Sequence, residues 1–308
     1  MSRLPTGVFP LVTQRRFVGV RVGDHRSPRR GAGDEVAGAR PYRPGDRRTW
    51  IDWRASARLS AAHGADEFIT REFFADTAPR VVVAIDSRPR MGLYDSSFPW
   101  LDKRAVVAET VRLVAGSTAA ERGDLAVVAE QGGRPLWLSS RTPARALEQL
   151  GRSEALSRCE AGPGSLDGCL RLLVRHAPSL PAGTFVFVLS DFVDAVTPRT
   201  WQRLRALHWD VTPVVIQDPT WEQSFPDLRG VLVPVADVET GALRDVWVGR
   251  RSARERAREN EARLDGLLAG FRRVGFDPVV LGSSEPDVIG AGFRRWADRR
   301  IQLRRRSA

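Results

Sequence analysis

The chain has 308 residues, of which 42% are hydrophobic and 28% charged, and its formal net charge is +11. This length is enough to bury a large core, and two cysteines are too few for a disulfide framework or a zinc site. No apolar run approaches the roughly 20 residues of a membrane helix. The N-terminus lacks the apolar stretch of a secretory signal peptide, so we expect a cytoplasmic protein.

Arginine supplies almost all of the positive charge: 47 of the 48 basic residues are arginine, and Lys103 is the only lysine. Such a skew is typical of GC-rich codon usage and weakens an inference of nucleic-acid binding from charge alone. Basic side chains outnumber acidic ones in residues 1–80 and 244–308, whereas residues 81–243 are nearly neutral. Basic ends can bind the phosphates of nucleic acid, an anionic lipid surface or an acidic protein face. They can also simply form a solvated helix surface, which we favour.

Residues 1–79 show no clean periodicity and are predicted to form an N-terminal segment that packs on the main domain. The run RSPRRGAGDE at 26–35 indicates a mobile loop. Pro44-Gly45 has the chemistry of a type II turn, and FITREFF at 68–74 is predicted to be a strand.

Within this segment, residues 40–58 alternate aromatic and charged side chains in an extended stretch. The residues that carry the pattern are Tyr42, Pro44, Gly45, Asp46, Arg48, Trp50, Asp52, Trp53, Arg54 and Arg58. We expect the aromatic rings to be buried, the two aspartates to pair with Arg48, Arg54 or Arg58, and Trp53→Ala to destabilise the fold. A competing interpretation is that the rings stack on nucleic-acid bases while the arginines hold phosphates.

From residue 80 the pattern changes to alternating strands and helices, which predicts a main domain over 80–301. The strands are predicted at 80–87, 125–130, 135–138, 184–192, 211–218 and 277–282, and the helices at 101–121, 143–150, 165–175, 198–208, 252–274 and 287–301. This alternation predicts an α/β fold with a doubly wound, mostly parallel sheet and helices on both faces. A hairpin insertion is expected at 229–249 and a basic tail at 302–308.

Two carboxylates follow predicted core strands. Asp86 comes after VVVAI and Asp191 after VFVLS, and ligands of doubly wound sheets bind at the carboxyl ends of strands. Two acids at neighbouring strand ends would attract a cation, and Ser165, which opens a later helix, could add a hydroxyl group. The alternative is that both aspartates only cap loops or helices.

These landmarks resemble a known family. An Asp-x-Ser-x-Ser motif after a first strand, a hydroxyl residue that opens a later helix and an Asp after a fourth strand form the metal-ion-dependent adhesion site of von Willebrand factor type A domains. More specifically, GARPYRPGDRRTWIDWRASARL, TREFF, LSDF, QDP and GVLVPVADVETGALRDV resemble the family called domain of unknown function 58, over roughly residues 30–300. The resemblance implies a von Willebrand A-like domain.

The chain departs from this family pattern where the metal would bind. Arg88 and Arg90 stand at the two hydroxyl positions after Asp86. Magnesium requires oxygen ligands, whereas a guanidinium group offers only donors and a permanent positive charge. We therefore predict a degenerate site without Mg²⁺ or another cofactor. The arginines could pair with Asp86 and Asp191 in place of the metal, or point outward to bind a carboxylate or phosphate of a partner.

Enzyme motifs are absent from the sequence. It contains no phosphate-binding glycine loop, no paired zinc motif and no histidine beside a recognised nucleophile. We therefore expect no catalytic residues, and a hydrolase with an unrecognised site is the least favoured alternative.

The resemblance implies a non-enzymatic interaction module, an adaptor that works with a MoxR-type AAA+ ATPase to mature or remodel a client protein. Many relatives carry membrane helices before the matching segment, but none is expected in this chain, so we expect a cytoplasmic or peripheral membrane location. The partner-binding crevice is predicted to comprise Asp86, Arg88, Arg90, Ser165 and Asp191.

Overall fold

The computed structural model divides the chain into two compact units. One comprises Arg15–Ala78, and the other Met1–Gln14 together with Pro79–Ala308. The residues that the structure describes are 7–14, 36–43, 46, 48–73, 78–93, 101–153, 158–194, 196–237 and 242–306. The predicted loop at 26–35 and the turn residues Pro44 and Gly45 lie outside these ranges.

The smaller unit contains a two-stranded sheet and one helix. Its elements are strand β1 (Val36–Pro41), a 3₁₀ turn (Arg48–Trp50), helix α1 (Trp53–His63) and strand β2 (Ile69–Phe73). β1 and β2 pair antiparallel. The strand predicted at 68–74 is confirmed, whereas the sequence pattern predicts neither β1 nor α1.

Helix α1 depends on local capping and a buried serine. The Asp52 carboxylate accepts the Ala55 N–H at 3.1 Å, and Gly64 ends the helix in the left-handed conformation at φ 69°. Ser56 is the only buried residue of the helix, and its hydroxyl accepts the Ile69 N–H at 2.9 Å. Because α1 has no apolar stripe with a helical repeat, hydrophobic periodicity could not reveal it.

The aspartates of this unit pair with arginines other than those expected. Asp46 binds Arg40 at 2.8 Å, and Asp52 binds Arg71 at 3.0 Å. The hydrogen bonds from Arg40 lower the pKa of Asp46 to about 2. The expected partners Arg48, Arg54 and Arg58 are all exposed side chains. The predicted pairing is wrong because β1 and β2 bring Arg40 and Arg71 to the acids.

The expected burial of Trp53 is also wrong. Its side chain is 62% exposed, and its ring packs edge-on against Phe68 at a centroid distance of 6.0 Å. Tyr42 meets the same phenyl ring at 6.5 Å. The aromatic residues therefore form a small cluster around Phe68 within this unit.

The larger unit alternates strands and helices as predicted. Its strands are β3 (Arg80–Ile85), β4 (Asp124–Gln131), β5 (Arg134–Ser140), β6 (Phe185–Ser190), β7 (Asp210–Ile216), β8 (Val231–Ala236), β9 (Leu243–Val248) and β10 (Val279–Leu281). Its helices are α2 (Lys103–Ala120), α3 (Pro143–Arg152), α4 (Ser165–Arg175), α5 (Pro198–Ala206), α6 (Arg250–Val274) and α7 (Pro286–Arg306). Short 3₁₀ turns at Pro89–Gly92 and Ala177–Ser179 complete the described elements.

Six of these strands form one sheet in the order β10-β7-β6-β3-β4-β5. All neighbouring pairs are parallel except β4 with β5. The chain runs outward from β3 to β4 and β5, then crosses to the other side of β3 and continues through β6, β7 and β10. The predicted α/β class, with a doubly wound, mostly parallel sheet, is therefore confirmed.

Helices cover both faces of this sheet because strand side chains alternate between two cores. Val81 and Val83 of β3 lie in one hydrophobic cluster, and Val82 and Ala84 lie in the other. α2, α3 and α7 contribute to the first cluster, and α4, α5 and α6 to the second. A buried parallel strand carries apolar side chains on both faces, which explains the continuous run VVVAI.

Residues 7–14 belong to this unit, whereas the sequence pattern predicts them to be part of the N-terminal segment. Phe9 is 1% exposed, and its ring stacks on Phe293 of α7 at 4.8 Å. The buried Arg300 donates to the Val12 carbonyl at 2.9 Å and pairs with Asp210. The packing of the rest of the N-terminal segment on the main domain stays a prediction.

The C-terminal part of the chain agrees with one sequence prediction and departs from another. β8 and β9 pair antiparallel within the predicted hairpin, but its expected turn at 239–241 lies outside the described residues. α7 continues to Arg306, so most of the predicted tail is helical. None of the helices described is long and apolar enough to cross a membrane.

Candidate functional site

The carboxyl ends of β3 and β6 bring the two predicted acids together. The strands are neighbours in parallel register, with Ile85 opposite Leu189, and the Asp86 N–H donates to the Leu189 carbonyl at 2.9 Å. Strand order reverses between these two strands, so Asp86 and Asp191 lie at the switch point of the sheet. Doubly wound folds place their ligand sites at this position.

Asp86 is buried and fully engaged by neighbouring donors. Arg88 Nε lies 2.9 and 3.1 Å from its two oxygens, and Arg88 Nη2 lies 2.5 Å from Oδ2. The Ser190 hydroxyl, at the end of β6, donates to Oδ2 at 2.6 Å. The Asp86 carboxylate therefore has a guanidinium group on one side and a hydroxyl donor on the other.

The Arg88 guanidinium connects three carboxylates. Besides Asp86, it lies 3.8 Å from Asp191, and its Nη1 binds Asp194. The side chain is only 6% exposed. Burial would lower the pKa of Arg88, but the hydrogen bonds and charge of Asp86, with the charges of Asp191 and Asp194, outweigh it and raise the pKa. The arginine therefore stays charged inside the protein.

Asp191 is held by two further cations. Lys103 Nζ and Arg90 Nε each lie 3.3 Å from Asp191 Oδ2. Burial alone would raise the pKa of Asp191, but the charge of Lys103, the Val193 N–H and the two arginines lower it below its usual value. The carboxylate is therefore kept ionised in a buried position.

Glu222 completes the network behind Lys103. The Lys103 ammonium, which is fully buried, lies 2.7 Å from Glu222 Oε1, and Arg90 Nη2 lies 3.7 Å from the same oxygen. Lys103 is the first residue of α2, which Asp102 caps by accepting the Ala105 N–H. We call the seven residues Asp86, Arg88, Arg90, Lys103, Asp191, Asp194 and Glu222 the switch-point cluster.

Within the part of the chain that the structure describes, Ser165 makes no hydrogen bond to this cluster. Its hydroxyl opens α4, is buried, and has no hydrogen-bond partner in the described part of the chain. The loop before α4 is tied to the cluster's edge, because the Ala161 N–H donates to the Ser87 carbonyl at 3.0 Å. The predicted site residues thus come together except for the serine.

The structure shows the orientation of the Arg88 and Arg90 side chains, which the sequence leaves open. Both arginines turn toward the acids: Arg88 is buried between Asp86 and Asp191, and Arg90 reaches Asp191 while remaining 32% exposed. The carboxylate oxygens that would ligate a divalent cation instead accept hydrogen bonds from cations. These residues do not fit Mg²⁺, which needs near-octahedral oxygen ligands.

A comparison with protein families shows what this chain is related to. A family model described as "Protein of unknown function DUF58" matches residues 38–265, well over half of the chain. The chain belongs to the DUF58 family. The match begins within β1 of the smaller unit and includes β3 and β6, the two strands whose ends carry the switch-point cluster.

This DUF58 protein shares low sequence identity with the following relatives and solved structures. Uncharacterised proteins of Mycobacterium bovis and Mycobacterium tuberculosis are 24% identical over 297 residues, covering 94% of this chain and 87% of theirs. Among solved structures, the conserved hypothetical protein BatB from Bacteroides thetaiotaomicron is 13% identical with a TM-score of 0.38, covering 71% of this chain and 99% of that one. An aerotolerance-related membrane protein from Bacteroides fragilis is 10% identical with a TM-score of 0.39, covering 70% and 99%.

Three members of the cluster in this DUF58 chain are not predicted from sequence: Lys103, Asp194 and Glu222. They come from a helix start and two loops, which carry no periodic signal. One compositional signal existed, because Lys103 is the single lysine among 48 basic residues and proves to be fully buried between two acids. Asp194 stands only three residues beyond the predicted Asp191.

Two cysteines and two histidines are polar groups outside the switch-point cluster. Both cysteines are free thiols, and burial raises the pKa of Cys169 to about 12 and of Cys159 to about 11. His63 pairs with the exposed Glu67, and His176 stacks on Trp137 at 4.1 Å. These contacts indicate structural roles for the cysteines and for these two histidines.

Proposed function

We propose that this DUF58 protein is a non-enzymatic protein-interaction module whose binding face is the switch-point cluster. The observation that carries the proposal is charge neutralisation within the cluster. Four carboxylates face three cations across contacts of 2.5–3.8 Å, with Asp194 bound to Arg88 as well. A general base needs an accessible lone pair, whereas Asp86 and Asp191 direct theirs to cations. This arrangement supports recognition over catalysis.

The rim of the cluster supplies the groups that a partner could contact. The Asp194 side chain is 51% exposed and that of Arg90 is 32% exposed, whereas Arg88 and Lys103 beneath them are buried. Buried ion pairs fix the positions of these two rim charges before any partner arrives. Preorganised, complementary charges favour specific association over raw affinity.

We further propose that the module works without a metal ion or other cofactor. Arg88 and Lys103 place positive charges where a divalent cation would have to sit, and no group of three His, Cys, Asp or Glu side chains among the residues described is arranged to hold one. In this proposal the arginine performs the charge neutralisation that a cation would supply in a von Willebrand A-like site.

The proposed partner is a MoxR-type AAA+ ATPase, with which the module would present or remodel a client protein in the cytoplasm. This choice comes from the family resemblance and from the position of the cluster at the edge where doubly wound folds bind ligands. The remote solved structures do not contribute to it.

Affinity capture with purified components tests this proposal. Tagged protein is mixed with the MoxR-type ATPase of the same host while ATP hydrolysis is blocked. Wild-type protein should retain the ATPase, and Arg90→Ala should lose most of it because a rim cation is removed. Arg272→Ala, which removes an exposed arginine from the end of α6, serves as the matched control and should behave like wild type. Equal capture by both variants would place the interaction elsewhere, and no capture by wild type would reject the partner class.

A further inference from the structure

One side of the Arg88 guanidinium is bound inside the protein and the other at its surface. Nε and Nη2 engage the buried Asp86, while Nη1 engages Asp194. The Asp86 side chain is fully buried and that of Asp194 is 51% exposed. The same arginine therefore has one permanent carboxylate partner and one in contact with solvent.

These two ion pairs differ in how readily they can open. Separating Arg88 from Asp86 would leave uncompensated charges in the interior, which is strongly unfavourable. Releasing Asp194 returns a half-exposed carboxylate to water, while Arg88 keeps the charges of Asp86 and Asp191 beside it. Asp194 can therefore leave while Arg88 stays fixed by Asp86.

The backbone also holds the chain before Asp194 in place. Phe192 adopts a positive φ of 51°, its N–H donates to the Ser190 hydroxyl at 2.9 Å, and the Val193 N–H donates to Asp191 at 3.1 Å. These bonds fix the turn at the end of β6. The Asp194 side chain is consequently delivered to Arg88 from a rigid support.

We propose that Asp194 is a built-in carboxylate ligand that occupies the place of a partner's carboxylate on Arg88. A partner binds by exchanging its own aspartate, glutamate or C-terminal carboxylate for that of Asp194. This inference rests on the proposed function, because it assigns the chemistry of the same face. In the free protein, Asp194 therefore blocks other carboxylates from Arg88, because a tethered group competes at a high effective concentration.

Charge balance favours a carboxylate over a phosphate. The cluster already contains four acids and three cations, so a phosphate dianion would add charge to a site with no spare cation. Exchanging one carboxylate for another leaves the net charge unchanged. A planar carboxylate also suits the remaining edge of a guanidinium group.

The test follows the Arg88 Nε–H resonance by NMR during titration with acetate and with short peptides. One peptide has blocked ends and a central aspartate, a second has a free C-terminus and no acidic side chain, and a third, blocked, has asparagine as the uncharged control. In Asp194→Ala the half-saturating concentration of acetate should be at least about tenfold lower than in wild type, because the competing carboxylate is gone. Asp194→Asn should behave similarly, and Asp245→Ala, which removes an exposed acid from β9, should match wild type.

The outcomes separate this inference from the proposed function. Tighter acetate binding by both Asp194 variants supports the inference, and the two charged peptides show whether side-chain or terminal carboxylates are accepted. No gain over Asp245→Ala, or a stronger response to inorganic phosphate than to acetate, overturns it. If the ATPase is captured but the variants gain nothing, only the inference fails. If the variants gain carboxylate binding but no ATPase is captured, only the proposed partner fails.

Discussion

At the scale of single residues, the charges of the switch-point cluster depend on one another because all but two of them are buried. Removing Arg88 would leave Asp86 and Asp191 with fewer cations in a medium that solvates charge poorly. Breaking a buried ion pair by removing one partner costs roughly 3–5 kcal/mol. We expect Arg88→Ala to lower the free energy of unfolding by about this amount, measured by urea denaturation.

The control for this change is an arginine whose ion pair is exposed. Arg251 pairs with Glu255 along α6 at 3.0 Å, and its side chain is 94% exposed. Arg251→Ala should change stability by no more than about 0.5 kcal/mol. Similar effects of the two substitutions would contradict a mutually dependent cluster.

Asp191 gives the cluster a defined pH dependence. Burial alone would raise its pKa in the folded state, but the charge of Lys103, the Val193 N–H and the two arginines together outweigh burial and lower that pKa. An unfolded aspartate titrates at about 3.9. The stabilisation is therefore fully present above the unfolded value and is lost as pH falls through the lower folded value. The urea midpoint of the wild-type protein, measured from pH 6 to pH 2.5, should fall at the acid end. In Asp191→Asn, the part of this fall that is due to Asp191 should be absent. An unchanged acid slope in that variant would assign the effect to other carboxylates.

Arg88 and Arg90 lead to a prediction about metal binding, because they stand where the von Willebrand A pattern that this sequence resembles has hydroxyl residues. Isothermal titration of the wild-type protein with Mg²⁺ should give no saturable heat, because Arg88 and Lys103 already neutralise Asp86 and Asp191. Arg88→Ser/Arg90→Ser restores two oxygen ligands and removes two positive charges, so it should bind Mg²⁺ more tightly than wild type does. Micromolar binding by wild type that disappears in Asp86→Ala would refute the metal-free site.

At the scale of elements, the segment 7–14 acts as part of the core of the larger unit. The Phe9 ring contacts Phe293 at 4.8 Å and Trp296 at 5.7 Å, and its N–H donates to the Ser117 hydroxyl at 2.9 Å. Deleting a buried phenyl group leaves a cavity and costs about 3–5 kcal/mol. Phe9→Ala should therefore produce a large fall in the thermal midpoint followed by circular dichroism.

Trp53→Ala provides the comparison, because the sequence pattern predicts that this substitution destabilises the fold. With 62% of the side chain exposed and one edge-on contact to Phe68, its loss should cost about 1 kcal/mol. A larger midpoint shift for Trp53→Ala than for Phe9→Ala would show that the segment 7–14 is not a core element.

The elements also show what the sequence could and could not predict. The strand–helix alternation from residue 80 predicts β3 to β7 well, because buried strands and amphipathic helices impose regular apolar spacing. Helix α1 escapes prediction because capping by Asp52 and the buried Ser56 hydroxyl hold it, and neither is periodic. In the same way, Asp86 and Asp191 can be placed together from strand ends, whereas Glu222 reaches the cluster through a loop whose path no local pattern encodes.

At the scale of the whole molecule, the charge of +11 overstates the positive surface available to a nucleic acid. Arg300 is buried against Asp210 and Asp277, and Arg299 pairs with Asp277 at 3.0 Å. Arg88 is enclosed in the switch-point cluster. These arginines balance internal acids, so a share of the basic C-terminal region serves the fold and not a polyanion.

The basic-surface alternative can be separated from the interaction-module proposal by salt. We expect only sequence-independent binding to a fluorescein-labelled DNA duplex, weakening steeply between 50 and 200 mM salt to a Kd no tighter than about 10⁻⁶ M. Arg272→Glu/Arg273→Glu, which reverses two exposed charges at the end of α6, should reduce this binding in fluorescence anisotropy and leave ATPase capture intact. Arg90→Ala should do the reverse, because its rim charge lies beside buried acids that repel phosphate. A nanomolar Kd at 200 mM salt with preference for one DNA sequence would instead make nucleic acid the partner. Binding that resists salt and depends on sequence requires contacts to the bases in addition to the phosphates.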